Sequence, residues 1–437
     1  MNAHGASLPA ATEYHRAPMR IFNRLARAVS GLGAGEFKLD ENTLIASARR
    51  QTGLHSFGDD RFLQPLRVLL NAYQTEADLN PLGRLLARQS LVRILKHRLY
   101  AADLLDRHPE ILEREIPAPV VVVGLARSGT TRLHRLLACD RRFLHLKAWE
   151  SMNPVPYPES IAIKQGKAQG VDPRITAIEQ GLKVVLWMSP QIATVHPLGA
   201  HEIEEEVGLI QHGIASQLFE VQAHLPSFAE WLMTHDQDDA YEYMVTLMKI
   251  ISWFRDDPHD KPWVLKSPQH MQDLDALMRV FPEAKIICSH RDPIKVVGSS
   301  CSMAFTSMTR DTDTVDPHYI GNEWLNKIDR MMQKTLSIRD NQIPQSQQHD
   351  ILYADIHRDW QAAIDGVYQL MGMEFDDTAK SAMQAWLDSN AQHKHGAHKY
   401  DLASFGLDKD QIDAKLAYYR ERFDIPYETK SAHQNQR

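Results

Sequence analysis

Residues 119–131 read Pro-Val-Val-Val-Val-Gly-Leu-Ala-Arg-Ser-Gly-Thr-Thr. The run Val120–Val123 is too short for a helix and rich in β-branched residues, which predicts a buried strand of a parallel sheet. From Thr131 onward, apolar residues recur at helical spacing. The residues between predict a glycine-framed loop that leads from a strand into a helix N-terminus, an arrangement typical of phosphate binding.

One position separates this loop from the loops of nucleoside triphosphate enzymes. Where those loops carry a lysine for the β- and γ-phosphates, this chain has Thr130. Arg127 instead lies inside the loop and offers a planar cation to two oxygens at once. Ser128 and Thr131 add hydroxyl donors, and Gly129 lets the backbone close around an anion. The loop therefore predicts a site for a substituted phosphate, bound without a metal.

The run Gly124–Thr131 resembles the 5′-phosphosulfate loop of the sulfotransferases, especially the bacterial and tyrosylprotein-type branch with Arg-Ser-Gly-Thr-Thr. That family transfers a sulfuryl group from 3′-phosphoadenosine 5′-phosphosulfate (PAPS) to a hydroxyl or an amine. The resemblance implies that PAPS is the co-substrate and that Arg127 also acts in catalysis. The residues that it implies for binding the 5′-phosphosulfate are Arg127, Ser128, Gly129, Thr130 and Thr131.

A donor with a 3′-phosphate needs a second anion site, and residues 262–305 predict a strand–helix–strand unit followed by another helix. At the start of that last helix, Asp292 and Pro293 predict a cap and a first helical position. The resemblance implies that Arg291 and Ser299, eight positions apart, hold the 3′-phosphate. The alternative is that Arg291 pairs with a local carboxylate.

Lys266 ends the first strand of this unit, where ligand-facing groups of open α/β sheets gather. It is similar in position to the family lysine that contacts the phosphosulfate bridge. The resemblance therefore implies that Lys266 and Arg127 stabilise the charge on the leaving phosphate electrostatically.

Transfer to a hydroxyl requires a base. The tyrosylprotein-type branch carries a catalytic glutamate at about this distance after the loop, which implies Glu150, and the apolar run Phe143–Trp149 before it predicts a strand reaching the same sheet edge. His270 is the alternative base, because cytosolic sulfotransferases carry a catalytic histidine near the equivalent of Lys266. Their histidine lies two positions after that lysine, where this chain has Pro268.

Further polar clusters occur in the middle and at the end of the chain. The acidic run 202–206 predicts a solvated helix face, with a lining of the acceptor pocket together with His196 and His201 as the alternative.

Residues 395–407 resemble a C-terminal segment of the same bacterial branch that closes over the nucleotide. The resemblance implies that Tyr400 stacks on the adenine and that Lys399 reaches the 3′-phosphate. The histidines of this region have no defined fourth ligand, so no metal site is predicted.

The coarse pattern predicts an α/β fold with a P-loop-type parallel sheet flanked by helices. Residues 1–115 show only helical periodicity and predict a helical N-terminal region. Residues 116–430 resemble the sulfotransferase α/β domain, and a helical insert at about 154–260 is expected to wall the acceptor pocket.

The 437 residues carry a net charge of −7, which argues against a nucleic-acid partner. No apolar run approaches the roughly 18 residues of a spanning helix, so no integral membrane segment is expected. Three cysteines make no disulfide framework, which agrees with a cytoplasmic location. The expected partner is a small-molecule or peptide hydroxyl acceptor, and oligomeric state stays open. A nucleotide-dependent kinase and a non-catalytic nucleotide-binding protein are the competing functions.

Overall fold

A computed structural model of the chain describes residues 8–30, 37–192, 199–390 and 401–428. The strands are β1 (Val120–Val123), β2 (Leu146–Lys147), β3 (Ile203–Glu204), β4 (Val264–Lys266), β5 (Lys285–His290) and β6 (Gln348–Leu352). Strands β4, β1, β5 and β6, in that order, form one parallel sheet, and β2 pairs with β3 in a separate antiparallel ribbon. The carboxyl ends of β4, β1, β5 and β6 therefore meet at one edge.

Helices cover both faces of the parallel sheet. Val121 and Val123 of β1 join a core shared with the N-terminal helices and the insert, whereas Val120 and Val122 join a second core with later helices. All four valines are buried, because successive side chains of β1 point to opposite faces of the sheet and both faces are covered. The predicted α/β class with a helix-flanked parallel sheet is confirmed.

The described N-terminal residues contain helices and no strand. The α-helices before β1 are Ala17–Ser30, Glu41–Thr52, Leu63–Thr75 and Pro81–Arg107. Between β1 and β4 the described α-helices are Thr130–Leu137, Ala148–Met152, Pro158–Lys164, Pro173–Met188, Val207–Ile210, Leu218–Gln222, Pro226–Thr234 and Asp238–Arg255. After β4 they are Leu274–Val280, Pro293–Asp311, Pro317–Gln342, Tyr353–Arg358, Trp360–Met371, Asp377–Ser389 and Lys409–Arg422. Within the described ranges, no helix is both long and apolar enough to cross a membrane.

The expected strand over Phe143–Trp149 is wrong in extent, although the segment does reach the parallel sheet at one residue: Leu144 forms a parallel bridge with Trp263, next to β4. The strand itself consists of Leu146 and Lys147, and it pairs with β3. The chain turns into a helix at Ala148 because the Glu150 carboxylate accepts a hydrogen bond from the Lys147 N–H at 2.9 Å. Glu150 therefore lies in a helix and not at a strand end.

A buried polar cluster fastens the turn after β4 to the insert. The Gln269 amide donates to the Ala215 carbonyl at 2.6 Å and to the Asp273 carboxylate at 3.0 Å, and its oxygen accepts from the Gln217 N–H at 3.0 Å. Burial raises the pKa of Asp273 from 3.8 to about 7. This cluster holds the segment that follows Lys266 in place.

Asp273→Asn is expected to raise stability at neutral pH. The folded state keeps the Asp273 proton up to about pH 7 while the unfolded chain loses it near pH 4, so burial of this carboxyl costs stability progressively between those values. The amide removes that cost and still accepts from Gln269, so the variant should gain on the order of 2 kcal/mol at pH 8 and little near pH 4.

Urea unfolding of wild type and Asp273→Asn from pH 4 to pH 8 measures the gap between their unfolding free energies. The control is Asp388→Asn, since the Asp388 side chain is exposed and accepts from Gln384. A gap that does not widen with pH in Asp273→Asn would contradict the assignment.

Candidate active site

The loop after β1 presents backbone N–H groups at a helix N-terminus. Helix Thr130–Leu137 begins after Gly129, which has φ +92°. Arg127 has φ +73°, a left-handed conformation that costs a residue other than glycine about 1–2 kcal/mol. The Ser128 hydroxyl is buried and donates to the Leu125 carbonyl at 2.7 Å, so it closes the loop from inside. A strained arginine in a rigid loop is typical of functional positions.

Two glycines allow this loop to pack between neighbouring strand ends. A Cβ on Gly124 would lie 2.8 Å from the Ser289 carbonyl oxygen, and one on Gly129 would lie 2.5 Å from the Tyr353 ring. Tyr353 begins the helix that follows β6. The loop is therefore confined by residues at the ends of β5 and β6.

Gly129→Ala is expected to destabilise the protein by about 2–4 kcal/mol, because it adds left-handed strain and displaces Tyr353. Gly166→Ala is the matched control. Gly166 has φ +70°, and a Cβ added there would meet no atom within 4 Å, so its substitution should cost only about 1 kcal/mol. Chemical denaturation of both variants measures the difference, and equal losses would contradict the role of the Tyr353 contact.

The second predicted anion site lies directly beside the loop. The Arg127 Nε donates to the Ser299 hydroxyl at 3.1 Å, and the Arg291 Nη1 donates to the Arg127 carbonyl at 2.8 Å. Asp292 caps the helix Pro293–Asp311 with its side chain, and Pro293 takes the first position, as predicted. Two segments about 160 residues apart in the chain thus meet at one edge of the sheet.

Arg291 already holds a carboxylate. Its Nε and Nη2 donate to the two oxygens of Glu428 at 2.6 and 2.9 Å, and its Cζ lies 4.0 Å from the centroid of the Tyr353 ring. The alternative in which Arg291 pairs with a carboxylate therefore holds, through a residue of the C-terminal segment. A bidentate carboxylate uses the same guanidinium edge that binds a phosphate.

Lys266 points at the loop from the end of β4. Its Nζ donates to the Thr131 hydroxyl at 3.2 Å and forms an ion pair with Glu205. The Lys266 side chain is 1% exposed and the Glu205 side chain is 15% exposed. The lysine thus lies where it can share an anion with the N-terminus of helix Thr130–Leu137.

The prediction of a solvated helix face for the acidic run is wrong. Glu204 belongs to β3, Glu205 pairs with Lys266, and Glu206 is fully buried. Glu206 bonds to His270 and accepts from the Lys266 N–H at 2.9 Å. Burial alone would raise the pKa of Glu206, but these hydrogen bonds hold it below its ordinary value.

The two bases predicted from the sequence lie in buried networks. Glu150 is 2% exposed and forms an ion pair with Arg255, whose Nε donates to it at 2.7 Å. His270 is fully buried between Glu206 and the Tyr241 hydroxyl, which lies 2.8 Å from its Nδ1. Glu205 is the carboxylate that contacts Lys266 and retains some exposure.

Some predicted residues lie outside the described ranges. These are Lys399 and Tyr400, His196, and the histidines at 393, 395 and 398. His201 is described and exposed. Within the described residues, no three histidine, cysteine or acidic side chains are grouped to hold a metal ion.

The profile of the Sulfotransferase family matches residues 119–377, more than half of the chain. This chain belongs to the sulfotransferase family. The match includes the loop after β1, Lys266, Arg291 and Tyr353, and it confirms the resemblance predicted from Gly124–Thr131.

Curated relatives of this sulfotransferase-family chain match over a shorter span. The chain is 26% identical over 196 residues to the omega-hydroxy-beta-dihydromenaquinone-9 sulfotransferase Stf3 of Mycobacterium bovis and of Mycobacterium tuberculosis. The match covers 42% of this chain and 44% of each relative. The chain therefore spans less than half the length of these relatives.

Solved structures extend the similarity to most of the chain. Sulfotransferase STF1 of Mycobacterium tuberculosis H37Rv is 29% identical with a TM-score of 0.73, over 87% of this chain and 98% of that chain. Sulfotransferase STF9 of Mycobacterium avium superposes with a TM-score of 0.78 at 23% identity, over 90% and 99%. The similarity to STF9, at this lower identity, supports the fold alone.

Proposed function

We propose that this protein transfers a sulfuryl group from PAPS to a hydroxyl or amine acceptor by in-line displacement. The observation that carries this proposal is the contact of Arg127 with both Ser299 and Arg291. A donor phosphorylated at its 5′ and 3′ positions needs two anion sites that face one ligand. Thr130 in place of the P-loop lysine speaks against a kinase, and no observation favours that alternative.

The donor-binding roles follow the two sites. Arg291 and Ser299 are proposed to hold the 3′-phosphate, with Lys399 and Tyr400 as further proposed contacts to the 3′-phosphate and the adenine. The loop residues proposed to surround the 5′-phosphosulfate are Arg127, Ser128, Gly129, Thr130 and Thr131. Because the hydroxyl and the backbone N–H of Ser128 both donate to the Leu125 carbonyl, we expect Ser128 to act mainly by shaping the loop.

In the proposed step, the acceptor oxygen or nitrogen forms a bond to sulfur while the bond between sulfur and the bridging oxygen breaks. The electron pair of that bond stays on the 5′-phosphate, which leaves as part of 3′-phosphoadenosine 5′-phosphate (PAP). Arg127, Lys266 and the N-terminus of helix Thr130–Leu137 stabilise this growing negative charge. The proton of the acceptor passes to a base.

Glu205 is the base that this geometry supports best. It contacts Lys266, whereas Glu150 and His270, the bases expected from the resemblance, are engaged in buried networks. An arriving phosphosulfate competes with Glu205 for the Lys266 ammonium. The carboxylate is then released beside the reacting sulfur, where it can accept the acceptor proton.

The proposed acceptor class is a small hydroxyl compound. The curated relatives are named for a hydroxylated menaquinone, so we extend that proposal to an apolar alcohol and place it first in the screen.

The described cysteines Cys139, Cys288 and Cys301 are free thiols, which supports the proposed cytoplasmic location.

Calorimetric titration with PAP and with ATP tests the donor assignment. We expect PAP to bind at least about ten-fold more tightly, because only PAP carries a 3′-phosphate for Arg291. Comparable affinities would contradict the assignment. Transfer of labelled sulfate from PAPS to apolar alcohols, sugars and tyrosine peptides then tests the activity, and ATP turnover with Mg²⁺ would instead support the kinase.

A further inference from the structure

The C-terminal segment Ile425–Glu428 lies against the loop that carries Arg291. Ile425 is buried, and its N–H and carbonyl both bond to Arg420, at 3.0 and 3.1 Å. Arg420 in turn lies 3.7 Å from the centroid of the Tyr427 ring. The segment is therefore an ordered part of the fold.

Asp292 bonds this segment to the loop that carries Arg291. One of its oxygens accepts from Arg420 at 2.8 Å, and the other accepts from the Glu428 N–H at 2.8 Å. The backbone of Glu428 is thus fixed to the residue that follows Arg291. Its side chain then reaches the guanidinium and pairs with it through both oxygens.

We propose that Glu428 is a placeholder for the 3′-phosphate of the nucleotide and thereby sets the affinity of this site. The inference rests on the proposed function, because it takes Arg291 as the 3′-phosphate ligand. The carboxylate occupies the Nε–Nη2 edge of Arg291, which is the edge that a phosphate uses in bidentate binding.

Glu428 and a bound 3′-phosphate compete for the guanidinium of Arg291. Both are anions, and two like charges at the same guanidinium repel one another. The Arg291 and Glu428 side chains are 22% and 30% exposed, so solvent screens their ion pair and a phosphate can displace the carboxylate at a modest cost. The Asp292 bonds leave the segment attached when the side chain moves away.

This arrangement keeps Arg291 aligned before nucleotide arrives. The ring of Tyr353 supports one face of the guanidinium, and Glu428 holds its donor edge. A nucleotide that lacks the 3′-phosphate cannot displace Glu428 from that edge. Glu428 therefore weakens the binding of nucleotides that carry a 3′-phosphate and leaves the binding of nucleotides without one unaffected.

The test compares Glu428→Gln with wild type in calorimetric titrations of PAP and of 5′-AMP. Glutamine keeps the size of the side chain and removes the charge that competes with the phosphate. We expect Glu428→Gln to bind PAP roughly five- to ten-fold more tightly, because this gain in affinity corresponds to the free energy of a partly exposed bidentate ion pair. Binding of 5′-AMP should stay unchanged.

Glu421→Gln is the matched control, because Glu421 is an exposed glutamate of the helix Lys409–Arg422 and its loss changes the net charge equally. It should bind PAP as wild type does. Unchanged or weaker PAP binding by Glu428→Gln would overturn the inference and leave the proposed function standing. If none of the three proteins binds PAP, the proposed function fails and the inference fails with it.

Discussion

Arg127→Gly is expected to lower kcat about a thousand-fold while leaving stability within about 1 kcal/mol of wild type. The guanidinium is the charge-assisted donor that we propose to face the developing negative charge, and the loss of one such donor typically costs about 10²–10³ in kcat. Glycine relieves the strain of φ +73° at this position, which offsets the lost hydrogen bond to Ser299. The variant should therefore fold and fail in transfer.

Arg127→Ala is the companion variant. It removes the same cation but keeps a Cβ in the left-handed conformation, so it should be less stable than Arg127→Gly by about 1 kcal/mol and equally inactive. Urea unfolding and the turnover of labelled PAPS with the acceptor found in the screen measure the two effects. Retention of more than about a tenth of wild-type kcat by Arg127→Gly would show that the arginine does not act in transfer.

The strand, loop and helix at 120–137 could be predicted because every signal there is local. A β-branched run ends at a glycine, and helical periodicity follows about seven residues later. The observed bounds of β1 match the valine run, and helix Thr130–Leu137 begins one residue before the predicted start. The cap at Asp292 was predictable for the same reason.

The acidic run could not be interpreted correctly from its own residues. Whether Glu205 and Glu206 are solvated or buried depends on Lys266 and His270, which lie about 60 residues later and arrive through the parallel sheet. One signal was available. A lysine predicted at a buried strand end needs a counter-ion, and a cluster of carboxylates elsewhere in the chain is the natural source.

Tyr353 and Glu428 were missed for different reasons. Tyr353 follows the carboxyl end of β6, so the rule that ligand-facing groups gather at strand ends, applied to that late strand, would have identified it. Glu428 lies in a short segment after the last helix, without periodicity or a motif. Only the fold of the segment onto Asp292 reveals its contact with Arg291.

Glu205→Gln is expected to lower kcat about 100- to 1,000-fold, because an amide cannot take the acceptor proton. The binding of PAP should be kept or strengthened, since Lys266 loses a competing carboxylate. A purely structural role for Glu205 would lower stability and would leave the kcat of the folded variant close to that of wild type.

Glu150→Gln is the decisive comparison, because Glu150 is the base that the family resemblance implies. In this structure its carboxylate pairs with Arg255 and caps the helix Ala148–Met152. The variant should therefore lose about 1–3 kcal/mol of stability through the unpaired arginine and keep kcat within about ten-fold of wild type. The opposite pattern, with transfer lost in Glu150→Gln and kept in Glu205→Gln, would identify Glu150 as the base. The Glu150 carboxylate would then have to leave Arg255 when the acceptor binds.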